Sequence, residues 1–330
     1  MRKRIALLYG GASSEHAVSV MGYDYVRRLI DTKKYDTLPV YIDESGEWWV
    51  DIDGERYSAH PARASHGGIC TDECFIRIDA AIPLLHGECG EDGKIQGALA
   101  TAGIPYVGAD VTTSAICIDK TYTKAIAHSL GIPTLGSVSF TQKIDTDTAL
   151  RHCLSVLDFP MFIKPRRLGS SVGAYPARDE DEFRHSFPLS SEAGEGLVTV
   201  ERMLTEKREI ECAFCEIGKI RIITPPGEIL IDGFYGYGEK YGGKTKTAAR
   251  AALSPELSGK ITDYATALAD ALRLRHLARI DFFLSGDDVY FNEINTFPGF
   301  TCESLYPIML RENGIDPADA ISSFIEEAMR

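Results

Sequence analysis

The apolar run from Arg4 to Tyr9, RIALLY, stops abruptly at Gly10 and Gly11. A short run without alternation is buried on both faces, and ending it in a glycine loop is how a parallel sheet presents its carboxyl edge. Ser13 or Ser14 then offers an N-cap, and Val18, Met21, Tyr25 and Leu29 recur at helical spacing. Strand, loop and helix in this order predict an open α/β unit. TLPVYID, WWVDI and AAIPLLHG read as further strands, with IQGALATAG as a helix before a strand IPYVG. The stretch from Ser58 to Cys74 is too rich in small residues to build a core and reads as an irregular surface connection.

A helical pattern runs from Ser114 to Leu130, and GSVSF, FPMFIKP and GAYPA then read as short strands around a loop, a small central domain. LVTVERML, REIECAFCEI and KIRIITP read as strands of a third part. The Gly/Ala/Thr-rich stretch from Tyr235 to Ser254 has no helical stripe and is expected to be a mobile loop. A helix from Pro255 to Leu274, a hairpin LARIDFFLSGDDVYFNEIN, an irregular TFPGFTCESLYP and one terminal helix close the chain. With 330 residues, against roughly 150 per domain, a tripartite division is expected at 1–108, 109–197 and 198–330.

The 35 Lys and Arg against 48 Asp and Glu leave a charge of −13, the wrong sign for a protein that neutralises nucleic-acid phosphates. No apolar run approaches the roughly 20 residues that span a bilayer. MRKRIALLYGG lacks the apolar core and cleavage site of a signal peptide. No nucleic-acid or membrane partner is expected, and the cytoplasm is the expected location. Eight scattered cysteines in so large an acidic chain are expected to be free thiols. Cys212 and Cys215 lie three apart in a strand, which puts their sulfurs on opposite faces. His66, Cys70 and Cys74 have no second ligand pair at zinc spacing.

The hairpin carries the most chemistry. Alternation puts Arg279 and Asp281 on one face of its first strand, and Glu293 and Asn295 on one face of its second. Hard cations such as Mg2+ take carboxylate and amide oxygens and keep positions open for phosphate, so Asp281, Glu293 and Asn295 form a candidate nucleotide-metal set. LGSSVG, from Leu168 to Gly173, joins two strands and can bring backbone N–H groups to phosphate oxygens. It is neither a Walker A loop nor a dinucleotide fingerprint, since GxxxxGK[ST] and a helix-opening GxGxxG are both absent. Glu15 in GGASSEH, and His86 with Glu88 in LLHGECGEDG, follow strands at the edge where open sheets bind ligands. A carboxylate there can hold an ammonium.

In combination these segments resemble the D-alanine:D-alanine ligase family of the ATP-grasp superfamily. The motifs are GGxSxEHxVS, LLHGxxGEDGxxQG, DKTYTK at Asp119, KPxxxGSSVG at Lys164, FYxYxEKY, RIDFF and NEINTFPGFTxxSLYP, in family order over nearly the whole chain. The resemblance implies an α/β (α+β) ATP-grasp fold: an amino-terminal open α/β domain and two α+β subdomains that clamp ATP. It implies that Lys120 and Lys164 contact the ATP phosphates and that Gly169, Ser170, Ser171 and Val172 close over the γ-phosphate. Glu201, Met203 and Leu204 would line the adenine and ribose pocket with Glu209 nearby, and Lys240 and Asn292 would complete the nucleotide site. Whether Glu209 or Glu211 faces ATP is left open, because VERMLTEKREIE is one residue longer than the usual spacing. Asp281, Glu293 and Asn295 would hold two Mg2+ ions, with Mn2+ as a substitute. Glu15, helped by His86, would hold the first D-alanine, and Arg279 with the Gly299 N–H would stabilise the oxyanion. Ser304 and Leu305 would receive the second substrate, and Tyr241 would join Glu15 and Ser170 in one hydrogen-bonded group. The implied activity is ATP-dependent formation of D-alanyl-D-alanine for peptidoglycan, by a homodimer, with D-serine the alternative acceptor. A nucleotide-binding regulator that has lost turnover is disfavoured by the presence of Arg279. By the resemblance, Cys302 and Glu303 stand where well-known members have a serine or alanine-like residue and a histidine, and they border the acceptor site.

Overall fold

The computed structural model describes residues 2–230 and 246–330. Among the described residues the strands form three sheets. The first contains β1 (Lys3–Gly10), β2 (Tyr35–Ile42), β3 (Trp48–Ile52), β4 (Glu55–Arg63), β5 (Gly67–Thr71), β6 (Phe75–Arg77) and β7 (Ala80–Pro83) in the order β6-β5-β4-β3-β2-β1-β7. Only β1 runs parallel to its neighbours, β2 and β7; the pairs from β2 to β6 are antiparallel. The sheet is thus mixed rather than parallel throughout, because the turns between β2 and β6 are too short for a crossover. The connection expected from Ser58 to Cys74 is instead mostly β4 and β5, with Ile69 fully buried. Its small residues are needed for close approach: a Cβ on Gly67 would lie 2.4 Å from Gly103 O, and one on Gly68 2.4 Å from Ile76 O. IPYVG contributes a single parallel bridge, Ala81 to Tyr106, rather than a strand.

Helix α1 (His16–Leu29) buries Val18, Ser19, Gly22 and Val26, whereas Met21 is 51% exposed. The buried stripe is shifted from the expected one because Ser19 docks the helix on the sheet, accepting from Gly10 N at 2.8 Å and donating to Leu84 O. The N-cap is Glu15, not Ser13 or Ser14, and its side chain makes no cap bond. Helix α2 (Lys94–Thr101) buries Ile95 and Leu99 against the same sheet as Val40 and Ile69. The helix expected from Ser114 to Leu130 is two, α3 (Val111–Ile118) and α4 (Lys120–Ser129). They break at Asp119, whose carboxylate caps α4 at Thr121 N, 3.1 Å away.

The second sheet has β8 (Ser137–Thr141), β9 (Met161–Pro165), β10 (Tyr175–Ala177) and β11 (Leu197–Arg202) in the order β10-β9-β11-β8, all antiparallel. Helices α5 (Thr146–Leu154) and α6 (Glu180–Ala193) close its core around Phe140, Met161, Phe183 and Val200. LVTVER was expected to open the third part; as β11 it is hydrogen-bonded between β9 and β8 and belongs here.

The third sheet comprises β12 (Arg208–Ile217), β13 (Ile220–Ile223), β14 (Gly227–Leu230), β15 (Lys246–Ala248), β16 (Leu277–Ser285) and β17 (Asp288–Asn295), ordered β15-β14-β12-β16-β17 with β13 also on β12. The expected mobile loop lies outside the described residues as far as residue 245, and Lys246–Ala248 is strand β15. Helix α7 (Pro255–Ala271) covers one face, where Cys117 and Ala127 of α3 and α4 join its core. The single terminal helix is two, α8 (Leu305–Glu312) and α9 (Pro317–Ala328). They pack on the other face in a core shared with the first sheet, where Leu7, Ile82 and Leu84 join Leu277, Tyr306 and Phe324. Cys212 and Cys215 enter these two cores from opposite faces, and all eight cysteines are free thiols. Among the described residues no helix is long and apolar enough to cross a membrane.

Candidate active site

Antiparallel register places Arg279 opposite Asn295 and Asp281 opposite Glu293, with a bulge after Asp281. On the other side Glu211 of β12 pairs with Asp281. Arg279 donates from Nε and Nη2 to the two Asp281 oxygens at 2.8 and 2.7 Å and lies 3.3 Å from Glu211 Oε1. Asn295 Nδ2 donates to Asp281 Oδ2 at 3.0 Å. Burial works against the Arg279 charge, and Asp281, Glu211 and Glu293 outweigh it, holding the guanidinium firmly protonated. Among the described residues no three His, Cys, Asp or Glu side chains converge as a metal cluster; this set is two carboxylates and one amide. That donor set fits a hard cation whose remaining positions are filled by phosphate oxygens.

Behind the hairpin three lysines are spoken for by carboxylates. Glu201 of β11, 2% exposed, is clamped by Lys124 and by Lys164, the latter at 2.9 Å. Burial raises its pKa, but the two ammoniums override this and bring it down to about 2. Burial likewise brings the Lys124 ammonium down to about 8. Lys164 also reaches Asn292 Oδ1 at 3.4 Å, and Lys120 bridges Leu168 O at 2.8 Å and Glu293 at 3.2 Å. Asp119, fully buried, accepts both Arg166 Nη2 contacts at 3.0 and 2.9 Å and Arg167 Nε at 3.0 Å, fixing α4 to the base of the glycine loop.

In that loop Ser170 and Ser171 hold φ of +50° and +58°, a conformation unfavourable for side-chain-bearing residues and common at ligand clamps. Ser170 donates to Glu15, so the loop meets the amino-terminal sheet. Glu15 is wedged between glycines: a Cβ would lie 2.9 Å from its Oε2 at Gly87 and 3.3 Å at Gly169. His86 Nδ1 donates to Phe297 O at 3.1 Å, and Ser13 Oγ donates to His86 O at 2.8 Å.

Two cavities result. One, of about 760 Å3, is lined by Lys120, Lys164, the glycine loop with Val172, Glu201, Met203, Leu204, Glu209, Glu211 and Asn292. The other, of about 630 Å3, is lined by Glu15, His86, Glu91, Asn295, Gly299, Ser304 and Leu305, with Cys302 and Glu303 also on its wall. They share Lys120, Gly169, Ser170, Glu211, Ile229, Arg279 and Glu293. Both candidate acids face the first cavity: Glu209 pairs with Lys207 at 2.7 Å, and Glu211 pairs with Arg279 where the cavities meet. Lys240 and Tyr241 lie outside the described residues. Sequence reading missed Glu91, Lys124 and Asp119, which lie within the quoted motifs GEDG and DKTYTK.

The fold and this paired cleft are those of an ATP-grasp protein. Family models for the D-ala D-ala ligase N-terminus and C-terminus match residues 4–109 and 126–326. The D-alanine–D-alanine ligase of Solibacter usitatus is 36% identical, covering 100% of this chain and 96% of that one. That of Caldicellulosiruptor bescii is 34% identical over 99% and 95%. Among solved structures, the VanG D-Ala:D-Ser ligase of Enterococcus faecalis superposes with a TM-score of 0.90 at 31% identity, covering 99% of this chain and 100% of that one. The D-alanine–D-alanine ligase of Bacillus anthracis complexed with ATP gives 0.75 at 26% identity, over 99% and 98%. The chain belongs to the D-alanine–D-alanine ligase family.

Proposed function

We propose that this chain joins two D-alanines at the expense of ATP, and that the observation carrying this is the meeting of two cavities at Lys120, Ser170 and Arg279. A nucleotide in the first cavity then presents its γ-phosphate to a carboxylate in the second. The donor carboxylate oxygen attacks phosphorus, the bond to ADP breaks, and a D-alanyl phosphate forms. The free amine of the second D-alanine then attacks the carbonyl carbon, and phosphate leaves. Lys120 and Lys164 offset charge on the transferred group, Glu15 holds the donor ammonium, and Arg279 with the Gly299 N–H faces the developing oxyanion. Mg2+ held by Asp281, Glu293 and Asn295, as two ions or replaced by Mn2+, would supply electrostatic stabilisation of the phosphates. Met203, Leu204 and Glu209 take the nucleoside, and Ser304 and Leu305 the acceptor. Three sheets support a three-part division, with boundaries near 108 and at the connection after Arg202; α3 and α4 pack with the third sheet. A cytoplasmic homodimer making peptidoglycan precursor is the setting this reading implies.

The test is an acceptor panel of D-alanine, D-serine and D-lactate with product masses and ADP release. D-Alanyl-D-alanine should dominate and rise from pH 7 to pH 9, because the attacking amine must first lose a proton and its pKa lies well above neutrality. A main product of D-alanyl-D-serine would move the chain to the D-serine reading; D-alanyl-D-lactate at pH 7 would overturn the amine acceptor.

Glu293→Gln tests the metal assignment. It removes one charge from a part-exposed side chain and little core, so Tm should hardly move while kcat falls by at least about 100-fold. The Mg2+ concentration for half-maximal rate should rise. Lost activity with an unchanged Mg2+ dependence would reject the metal role.

A further inference from the structure

Glu91 is a buried acid with two tasks from two distant parts of the chain. Its Oε2 accepts from Gly87 N at 3.0 Å, and its Oε1 accepts from Phe297 N at 3.1 Å. Gly87 follows His86 in the loop after β7; Phe297 leads to Gly299 in the loop after β17. The Phe297 peptide neighbours are thus held from both sides, its N–H by Glu91 and its C=O by His86 at 3.1 Å. Glu91 sits 8% exposed on the wall of the second cavity, and among the described residues its side-chain hydrogen bonds come from these two backbone N–H groups. A carboxylate buried on neutral N–H donors is costly, and strongly perturbed groups of this kind cluster where a site depends on them.

We infer that Glu91 is a positioning residue for the donor subsite: its carboxylate staples the His86 loop to the Phe297–Gly299 loop, and so sets the Gly299 N–H against Arg279. The inference rests on the ligase reading above. An ionised carboxylate accepts both N–H groups, whereas a carboxamide offers one oxygen and turns an N–H towards the other. Among the described residues Glu15, Arg279 and Cys117 couple electrostatically to Glu91, and His86 lines the same cavity. Burial, with the Glu15 charge adding to it, raises the Glu91 pKa from 4.5 to about 7, which puts loss of the staple within a measurable pH range.

Glu91→Gln should lower kcat by about 10- to 100-fold through misplacement of the oxyanion donor, while the KM for ATP changes by less than about threefold. The ratio of wild-type to variant kcat cancels the titration of the acceptor amine common to both. It should rise with pH from 5.5 to 8.5, since only wild type gains a carboxylate over that range. Stability should move the other way. A raised acid pKa means the folded state binds the proton more tightly, so wild type loses stability from pH 4.5 to 7 and the variant does not. Tm of the variant relative to wild type should therefore climb as activity is lost, which a merely structural residue would not show. If Glu91→Gln does not fold, Glu91→Asp, which keeps the charge and shortens the reach, should lose kcat with the KM for ATP retained. Wild-type kcat and a flat pH ratio in the variants would overturn the inference. Wild type that forms no D-alanyl-D-alanine would instead sink the ligase reading.

Discussion

Arg279→Met is expected to cost about 100- to 1,000-fold in kcat, the range seen when one oxyanion donor is removed. It should also destabilise the protein by about 3–5 kcal/mol at pH 7. Both effects have one origin. Arg279 is the cation shared by Asp281 and Glu211, which are 8% and 3% exposed and directly paired in register. Without the guanidinium, two buried carboxylates face each other and repel. The deficit should then be full near neutrality and shrink on acidification, as protonation removes the repulsion. Arg279→Lys separates the two roles. It restores a charge and part of the stability, but a point charge cannot occupy both Asp281 oxygens and also reach a developing oxyanion, so kcat should stay low. Near-normal turnover in Arg279→Lys would remove Arg279 from the oxyanion site, and unchanged pH-dependence of Tm in Arg279→Met would remove it as the partner of Asp281.

How much of this was legible depended on the range of the interaction. The convergence of Arg279, Asp281, Glu293 and Asn295 follows from a period of two and one short hairpin, and the observed register matches. The role of Asp119 as a break and cap was hidden inside an apparently continuous helical pattern, because the pattern of buried positions persists across it. β11 read correctly as a strand, yet its pairing with β8 and β9 reaches back across at least 30 residues, which no local periodicity encodes. Glu91 sits in an acidic, glycine-rich loop whose composition reads as solvated; only its contact with Phe297 shows that it is inside. The small residues from Ser58 to Cys74 misled for the opposite reason. Composition alone reads them as unable to pack, whereas Gly67 and Gly68 are small because backbone packs against them. The placement of Lys240 and Tyr241 lies outside the described residues.

Glu201→Gln should remove about 3–5 kcal/mol of stability at pH 7, since it leaves the Lys124 and Lys164 ammoniums against a neutral amide in a buried site. For a chain of 330 residues that corresponds to roughly 4–7 °C in Tm. The pH dependence identifies the cause. The Glu201 carboxyl is held at about 2 in the folded protein against an ordinary 4.5, so its contribution is complete above pH 4.5 and is lost as pH falls towards 2. The gap between wild type and variant should therefore close on the acid side. On the alkaline side burial holds Lys124 at about 8 against 10.5, so the unfolded chain binds more protons between these values and stability gains with rising pH. That gain should be larger in the variant, whose Lys124 has lost the anion that favoured its charged form. Nucleotide provides an independent check, because a phosphate beside Lys164 replaces the missing anion. ATP should raise the Tm of Glu201→Gln by more than that of wild type at saturation; equal increments would place the phosphates away from Lys164 and remove that lysine from the nucleotide site.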